Sequence, residues 1–136
     1  MSLAPKLYVC LSYRDPDAAI EFLTRAFGFT EHFVVRNEEG RAEHTQLAFG
    51  DEIIMLGRAK QELGWVSPLD LPAVNATVCC YVADPDALHI RATNEGAVTV
   101  RAPYDTDYGA RECSVRDVEG HQWHFSTYRP SPSTPT

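Results

Sequence analysis

No stretch of this 136-residue chain approaches the roughly 20 consecutive apolar residues of an α-helical membrane span, so no membrane partner is expected. The first residues also lack the hydrophobic region of a secretory signal, and a cytoplasmic location is expected. Basic charge is scarce. Twelve Lys and Arg face 19 Asp and Glu, leaving a net charge of −7, the wrong sign for a phosphate backbone. Nucleic acid is therefore excluded as a partner, and an acidic cleft would favour neutral or cationic small ligands over anionic ones. None of the four cysteines, Cys10, Cys79, Cys80 and Cys113, forms a CxxC pair, which removes the usual signature of a zinc knuckle or thioredoxin-like site. All four fall in strand-like runs, where a reduced thiol behaves as a small buried apolar side chain.

What the chain does contain is a repeat. Asp15-Pro16-Asp17-Ala18 returns as Asp84-Pro85-Asp86-Ala87, 69 residues on, about half the chain length. Each copy follows a short β-like run, residues 6–13 and 75–82, and precedes a helix-like segment that closes near Gly28 or Gly96. Cys10 and Cys79 fall at the same offset. In the first copy Asp15 can cap the helix, Pro16 suits its first turn and Asp17 favours its positive end. Ala19, Phe22, Leu23, Ala26 and Phe27 form one apolar stripe at helical spacing. The second stripe is weaker, mainly Leu88 and Ala92. Strands are expected at residues 30–36, 43–49 and 52–56, with a hairpin turn at 37–40. A connector with Gly64, Trp65, Pro68 and Pro72 follows. The second half repeats the order: strands at 97–101, 111–116 and 122–127, a loop at 103–109, and a turn at 118–121.

The organisation is therefore a first βαβββ module at residues 5–57, a connector at 58–74, a second module at 75–128 and a disordered tail at 129–136. Alternation assigns the faces. Trp123 and Phe125 share the helix side of the last strand, leaving Gln122, His124 and Ser126 opposite. Val9 and Leu11 face a helix and leave Tyr8, Cys10 and Ser12 opposite. Val78, Cys80 and Val82 do so too, leaving Thr77, Cys79 and Tyr81. His44 and Gln46 oppose Leu47 and Phe49. These mixed polar and aromatic faces suggest a ligand trough.

The motifs resemble those of the vicinal oxygen chelate superfamily, which contains glyoxalase I, bleomycin and fosfomycin resistance proteins and extradiol dioxygenases. They are similar to its PhnB-like branch in particular. The likeness is carried by Asp15-Pro16-Asp17-Ala18-Ala19-Ile20-Glu21-Phe22 with Ala26-Phe27-Gly28, by His44-Thr45-Gln46-Leu47 with residues 50–56, and by residues 115–125, from Val115-Arg116-Asp117-Val118-Glu119-Gly120 to Phe125. The resemblance implies an α+β fold: two tandem βαβββ modules forming a curved eight-stranded mixed sheet, with the helices on its outer face. It also implies a homodimer. The family's metal enzymes draw ligands from four slots, which align here with Tyr8, Met55, Thr77 and His124. A tyrosine with a free pKa of about 10 is a poor ligand, a thioether suits Cu(I), and a threonine offers only a neutral hydroxyl. His124 alone is a good ligand, against the three protein ligands usual in a catalytic site.

The function expected from this reading is metal-independent binding of a small molecule, as in the resistance proteins, with no cofactor. The ligand would be partly apolar and neutral or cationic. Its trough would be lined by Tyr8, Cys10, His44, Gln46, Met55, Thr77, Tyr81, Glu112 and His124, with no catalytic residue assigned. Trp65, Tyr104 and Tyr108 would cap the trough or an interface, and His32, His89 and His121 would lie at the surface. Two alternatives stand beside it. One is a lyase, isomerase or dioxygenase with a divalent metal held by His124 and His44, with Glu112 as a third donor. The other is a non-catalytic regulatory or interaction module.

Overall fold

A computed structural model of the chain describes residues 4–132. Its elements run β1 (Cys10–Tyr13), α1 (Pro16–Phe27), β2 (Thr30–Arg36), β3 (Ala42–Phe49), β4 (Glu52–Arg58), two short 3-10 turns (Gln61–Leu63 and Pro68–Asp70), β5 (Thr77–Tyr81), α2 (Pro85–Asn94), β6 (Val98–Asp105), β7 (Arg111–Arg116) and β8 (Gln122–Ser126). They form two four-stranded sheets, ordered β1-β4-β3-β2 and β5-β8-β7-β6. Each is mixed, with one parallel pair (β1 with β4, β5 with β8) and antiparallel neighbours beyond. The fold is thus the expected pair of βαβββ modules, with eight strands and two α-helices among the described residues.

The helices begin where the repeated motif places them. Asp15 accepts from the Ala18 amide at 3.1 Å and Asp84 from the Ala87 amide at 3.0 Å, each followed by proline in the first turn. Gly28 ends α1 at φ 82°, a left-handed conformation that a side chain resists. The α1 stripe buries Ala19, Ile20, Leu23, Ala26 and Phe27, and α2 buries mainly Ala92 with Leu88 partly covered.

One core serves both modules. Phe27, from the end of α1, lies 5.2 Å from the Trp123 ring and 4.8 Å from Phe125, both on β8. Phe29 adds a contact to Trp123 at 5.5 Å. Arg91 of α2 reaches the C-terminus of α1, donating to the Arg25 carbonyl at 2.8 Å and the Thr24 carbonyl at 3.3 Å. Cations at a helix C-terminus satisfy carbonyls that have no partner within the helix.

A buried acidic pair locks the modules from the other side. Asp117, in the β7–β8 turn, accepts from Tyr13 Oη at 2.5 Å and Trp123 Nε1 at 3.0 Å, and from the amides of Glu119, Gly120 and His121. Glu119 accepts from the Arg14 and Asp15 amides, each at 2.8 Å, and from Ser67 Oγ at 2.6 Å. The turn of the second module therefore grips the β1–α1 junction of the first and the connector.

Several details depart from the expectations. β1 starts at Cys10, so Tyr8 precedes it, because the ladder with β4 begins at the Cys10–Met55 pair. β6 continues through Pro103 to Asp105, where a loop was expected. As an edge strand with a register shift between Arg101 and Tyr104, it tolerates the missing amide. Only Cys113 is buried. Cys80 is partly covered, and Cys10 and Cys79 are exposed because their strands edge the sheets and they face away from the core. His121 is half-buried, its Nε2 2.8 Å from the Ser12 carbonyl and its ring 4.6 Å from Tyr13. The disorder expected of the tail falls partly on residues 133–136, outside the described residues.

Candidate functional site

Strand pairing shows which side chains share the faces turned away from the core. Cys10 pairs with Met55, and Gln46 and His44 pair with Met55 and Gly57. In the second module Cys79 pairs with His124, and Ser114 and Glu112 pair with His124 and Ser126. The modules therefore present matched positions: Cys10 with Cys79, Met55 with His124, Gln46 with Ser114, and His44 with Glu112. The titratable chemistry differs sharply between them.

The second face opens into a cavity of about 910 Å³. It is lined by Cys79, Tyr81, Tyr108, Glu112, His124 and Ser126, by Tyr128 to Pro130 after β8, and by Tyr8 and the β3–β4 turn of the first module. Of the expected trough residues, the structure brings together Tyr8, Tyr81, Glu112 and His124 here. Cys10 and Thr77 line a second cavity of about 480 Å³ beside the connector, with Trp65 and His121. His44, Gln46 and Met55 line neither. Gln46 Nε2 lies 3.2 Å from His44 Nε2, and the Phe33 ring packs edge-on to His44 at 6.3 Å.

Glu112 organises the larger cavity. Its Oε1 accepts from Tyr104 Oη at 2.9 Å, and its Oε2 accepts from Tyr108 Oη at 2.5 Å and Ser126 Oγ at 3.0 Å. The Tyr108 bond above all, with those of Tyr104 and Ser126 and the charge of His124, holds this carboxyl below its usual range against the effect of burial. The same bond pushes the Tyr108 phenol up to about 12. Glu112→Gln is expected to return the Tyr108 titration toward about 10. Ultraviolet difference titration of the phenolate, compared with Tyr108→Phe to assign it, measures the change, and an unmoved curve contradicts the contact. Arg111, the neighbour of Glu112, turns away to pair with Asp86 at 2.9 Å.

Sequence reasoning missed three contributors. Ser114, almost wholly buried, bonds His124 Nδ1 through its hydroxyl and so fixes the imidazole. Tyr128 stacks edge-on to Tyr108 at 5.8 Å. Arg129 sits 4.9 Å over the Tyr81 ring. Tyr128 and Arg129 fall at the start of a Pro/Ser/Thr-rich tail that carries no periodic signal. Ser114 becomes visible only once the β7 register is known.

The family model described as the Glyoxalase/Bleomycin resistance protein/Dioxygenase superfamily matches residues 7–125. The chain belongs to this superfamily. An uncharacterized protein of Mycobacterium bovis is 32% identical over 126 residues, covering 90% of this chain and 83% of the relative. The crystal structure of TioX from Micromonospora sp. ML1 superposes with a TM-score of 0.72 at 30% identity, over 95% of this chain and all of that one. A glyoxalase/bleomycin resistance protein/dioxygenase family enzyme from Burkholderia phytofirmans PsJN shares the fold, with a TM-score of 0.71 at 22% identity, over 88% of this chain and 94% of that one.

Members of the superfamily that use a divalent metal need several donors converging on one point. Among the described residues no group of three or more His, Cys, Asp and Glu side chains is placed to hold one. His124 and Glu112 line the same cavity, but His44 does not join them, and the matched positions hold Met55, Gln46 and Cys10. The donor set does not fit a catalytic metal.

Proposed function

We propose that this superfamily member is a metal-independent small-molecule binding protein that holds its ligand in the cavity between the modules. The observation carrying this reading is the large cavity itself, drawn from both modules and walled by Tyr8, Tyr81, Tyr108 and Tyr128 around Glu112 and His124. Tyrosine rings supply apolar faces with polar rims, and an ionised Glu112 supports a neutral or cationic ligand over an anionic one. The paired DPDA motifs support a PhnB-like position near the resistance proteins, and we place the protein in the cytoplasm. A homodimer belongs to the same proposal. Phe33 and Val35 are 50% and 43% exposed beside His44 and Gln46, an apolar face that a second copy would cover.

The test uses protein purified without added metal or chelator. Elemental analysis should find far less than one divalent metal per chain. Thermal-shift titration with flat aromatic compounds matched in shape but anionic, neutral or cationic should favour the last two, and Glu112→Gln should erase the preference. Light scattering at micromolar concentration should report a dimer. Near-stoichiometric zinc, nickel, manganese or iron, lost on His124→Ala, would overturn the metal-independent reading. A shift with no compound would favour an interaction module instead.

A further inference from the structure

The matched faces contain a comparison that the fold itself provides. Cys10 and Cys79 occupy the same position on the first strand of each module, and both are exposed. The residue beside each differs. Cys10 lies in register with Met55, whereas Cys79 lies in register with His124. Neighbouring strands run about 4.8 Å apart, so paired side chains on one face stand next to each other. Ser114 Oγ engages His124 Nδ1, and in the tautomer with Nδ1–H donating to that oxygen, Nε2 carries the lone pair that can take a proton. A nucleophile, a base beside it and a third group that orients the base make the arrangement that activates a weak nucleophile. Here Cys79 and His124 open into the large cavity, where Tyr81 and Tyr108 offer flat apolar walls, and Ser114 is buried behind them.

We propose that Cys79 is a nucleophilic thiol served by His124, and that the cavity captures planar α,β-unsaturated carbonyl compounds covalently on it. The Cys79 Sγ proton passes to His124 Nε2. The sulfur forms a bond to the β-carbon as the C=C π pair moves onto the α-carbon, which then takes the proton back from Nε2. Atoms and electrons balance without an oxidant, reductant or further reactant. Cys79 and His124 share a face but make no hydrogen bond among the described contacts, so the pair closes on approach of the electrophile, as catalytic contacts often do. The ligand class rests on the reading of this cavity as the binding site, whereas the reactivity of the thiol does not.

The test is competitive labelling of the full chain at pH 7.5 with peptide mass mapping, using iodoacetamide and, separately, 4-phenylbut-3-en-2-one. Cys79 should be alkylated by iodoacetamide on the order of tenfold faster than Cys10, with Cys80 and Cys113 slower still. His124→Gln should bring Cys79 down to the rate of Cys10. Met55→His should raise Cys10, because it rebuilds in the first module the neighbour that Cys79 has in the second. Equal rates at Cys79 and Cys10, an unchanged Cys79 in His124→Gln, or an unchanged Cys10 in Met55→His that melts like the parent overturns the activated thiol. Fast iodoacetamide labelling without an enone adduct at Cys79 overturns the ligand class. Loss of all reversible binding with Cys79 still fast sinks the binding proposal and leaves the thiol standing.

Discussion

Asp117→Ala is expected to cost about 4 kcal/mol of folding stability, a large share of the roughly 5–15 kcal/mol that holds a domain together. The carboxylate is buried and accepts five hydrogen bonds, from Tyr13, Trp123 and three backbone amides of its own turn. Alanine removes the acceptor and strands donors that water cannot reach, and an unsatisfied buried donor costs more than the bond contributed. Tyr13 and Trp123 are wholly buried, so neither can turn outward for a new partner. Asp117→Asn should cost roughly half as much. Its amide oxygen can still serve the backbone, but its NH2 would meet the Trp123 N–H, donor against donor. Urea unfolding followed by tryptophan fluorescence measures both. A loss below about 1 kcal/mol for alanine would refute the clasp. The same contact has an alkaline signature. Burial, then the charge and hydrogen bond of Asp117, push the Tyr13 phenol well above its ordinary range. A group whose pKa is raised by folding contributes stability below its unfolded value and loses it above. The parent protein should therefore weaken as pH rises past about 10.

The clasp also marks where sequence reasoning stops. The doubled DPDA motif shows both helix starts, the 69-residue spacing, and through alternation the core side of β8, β5 and β3. Those are local matters of capping and period, and Trp123, Phe125 and Leu47 are indeed fully buried. Asp117 and Glu119 read as turn residues, because partners more than 100 positions away, Tyr13 and the Arg14 amide, leave no local trace. The 69-residue spacing fails in one place. The turn between β3 and β4 is Gly50-Asp51, whereas Asp117 to His121 joins β7 to β8. The longer turn displaces β7 by one residue, so Ser114, not Val115, answers to Gln46, and Glu112 answers to His44. A one-residue slip exchanges the faces of a strand. That slip puts Glu112, expected in the trough from the sequence, on the cavity side and Cys113, expected to be buried, in the core. The division of the expected site is likewise a tertiary outcome. Tyr8, Tyr81, Glu112 and His124 share one cavity, while Cys10 and Thr77 line another, because the two sheets are joined through their helix-bearing sides and not through a common ladder.

Phe27→Ala should cost about 3–5 kcal/mol and should uncouple more than it destabilises. Phe27 closes α1 and packs its ring against Trp123 and Phe125 of the other module, with Phe22 edge-on at 5.5 Å. Truncation removes two ring contacts between the modules and leaves a void that β8 cannot fill, since its backbone is held on both sides by β5 and β7. The remaining ties between the modules include the Phe29–Trp123 and Tyr13–His121 ring contacts, the Arg91 contacts to α1 and the Asp117–Glu119 clasp. Two halves that share less apolar surface have a weaker reason to melt together. The parent is expected to unfold in one transition by near-ultraviolet circular dichroism and by fluorescence. Phe27→Ala should show a lower midpoint, and the two probes should separate. The consequence reaches the cavity, whose floor comes from the second module and whose rim, at Tyr8 and the β3–β4 turn, comes from the first. Its shape lasts only while the modules are clasped, so Phe27→Ala should weaken binding of the flat aromatic probes although Phe27 touches none of them. Phe22→Ala is the control. It removes a ring that is only partly buried on the same helix, and should lower stability by less while leaving the probes coincident. If Phe27→Ala melts as cooperatively as the parent and binds as well, the common core is not what holds the cavity together.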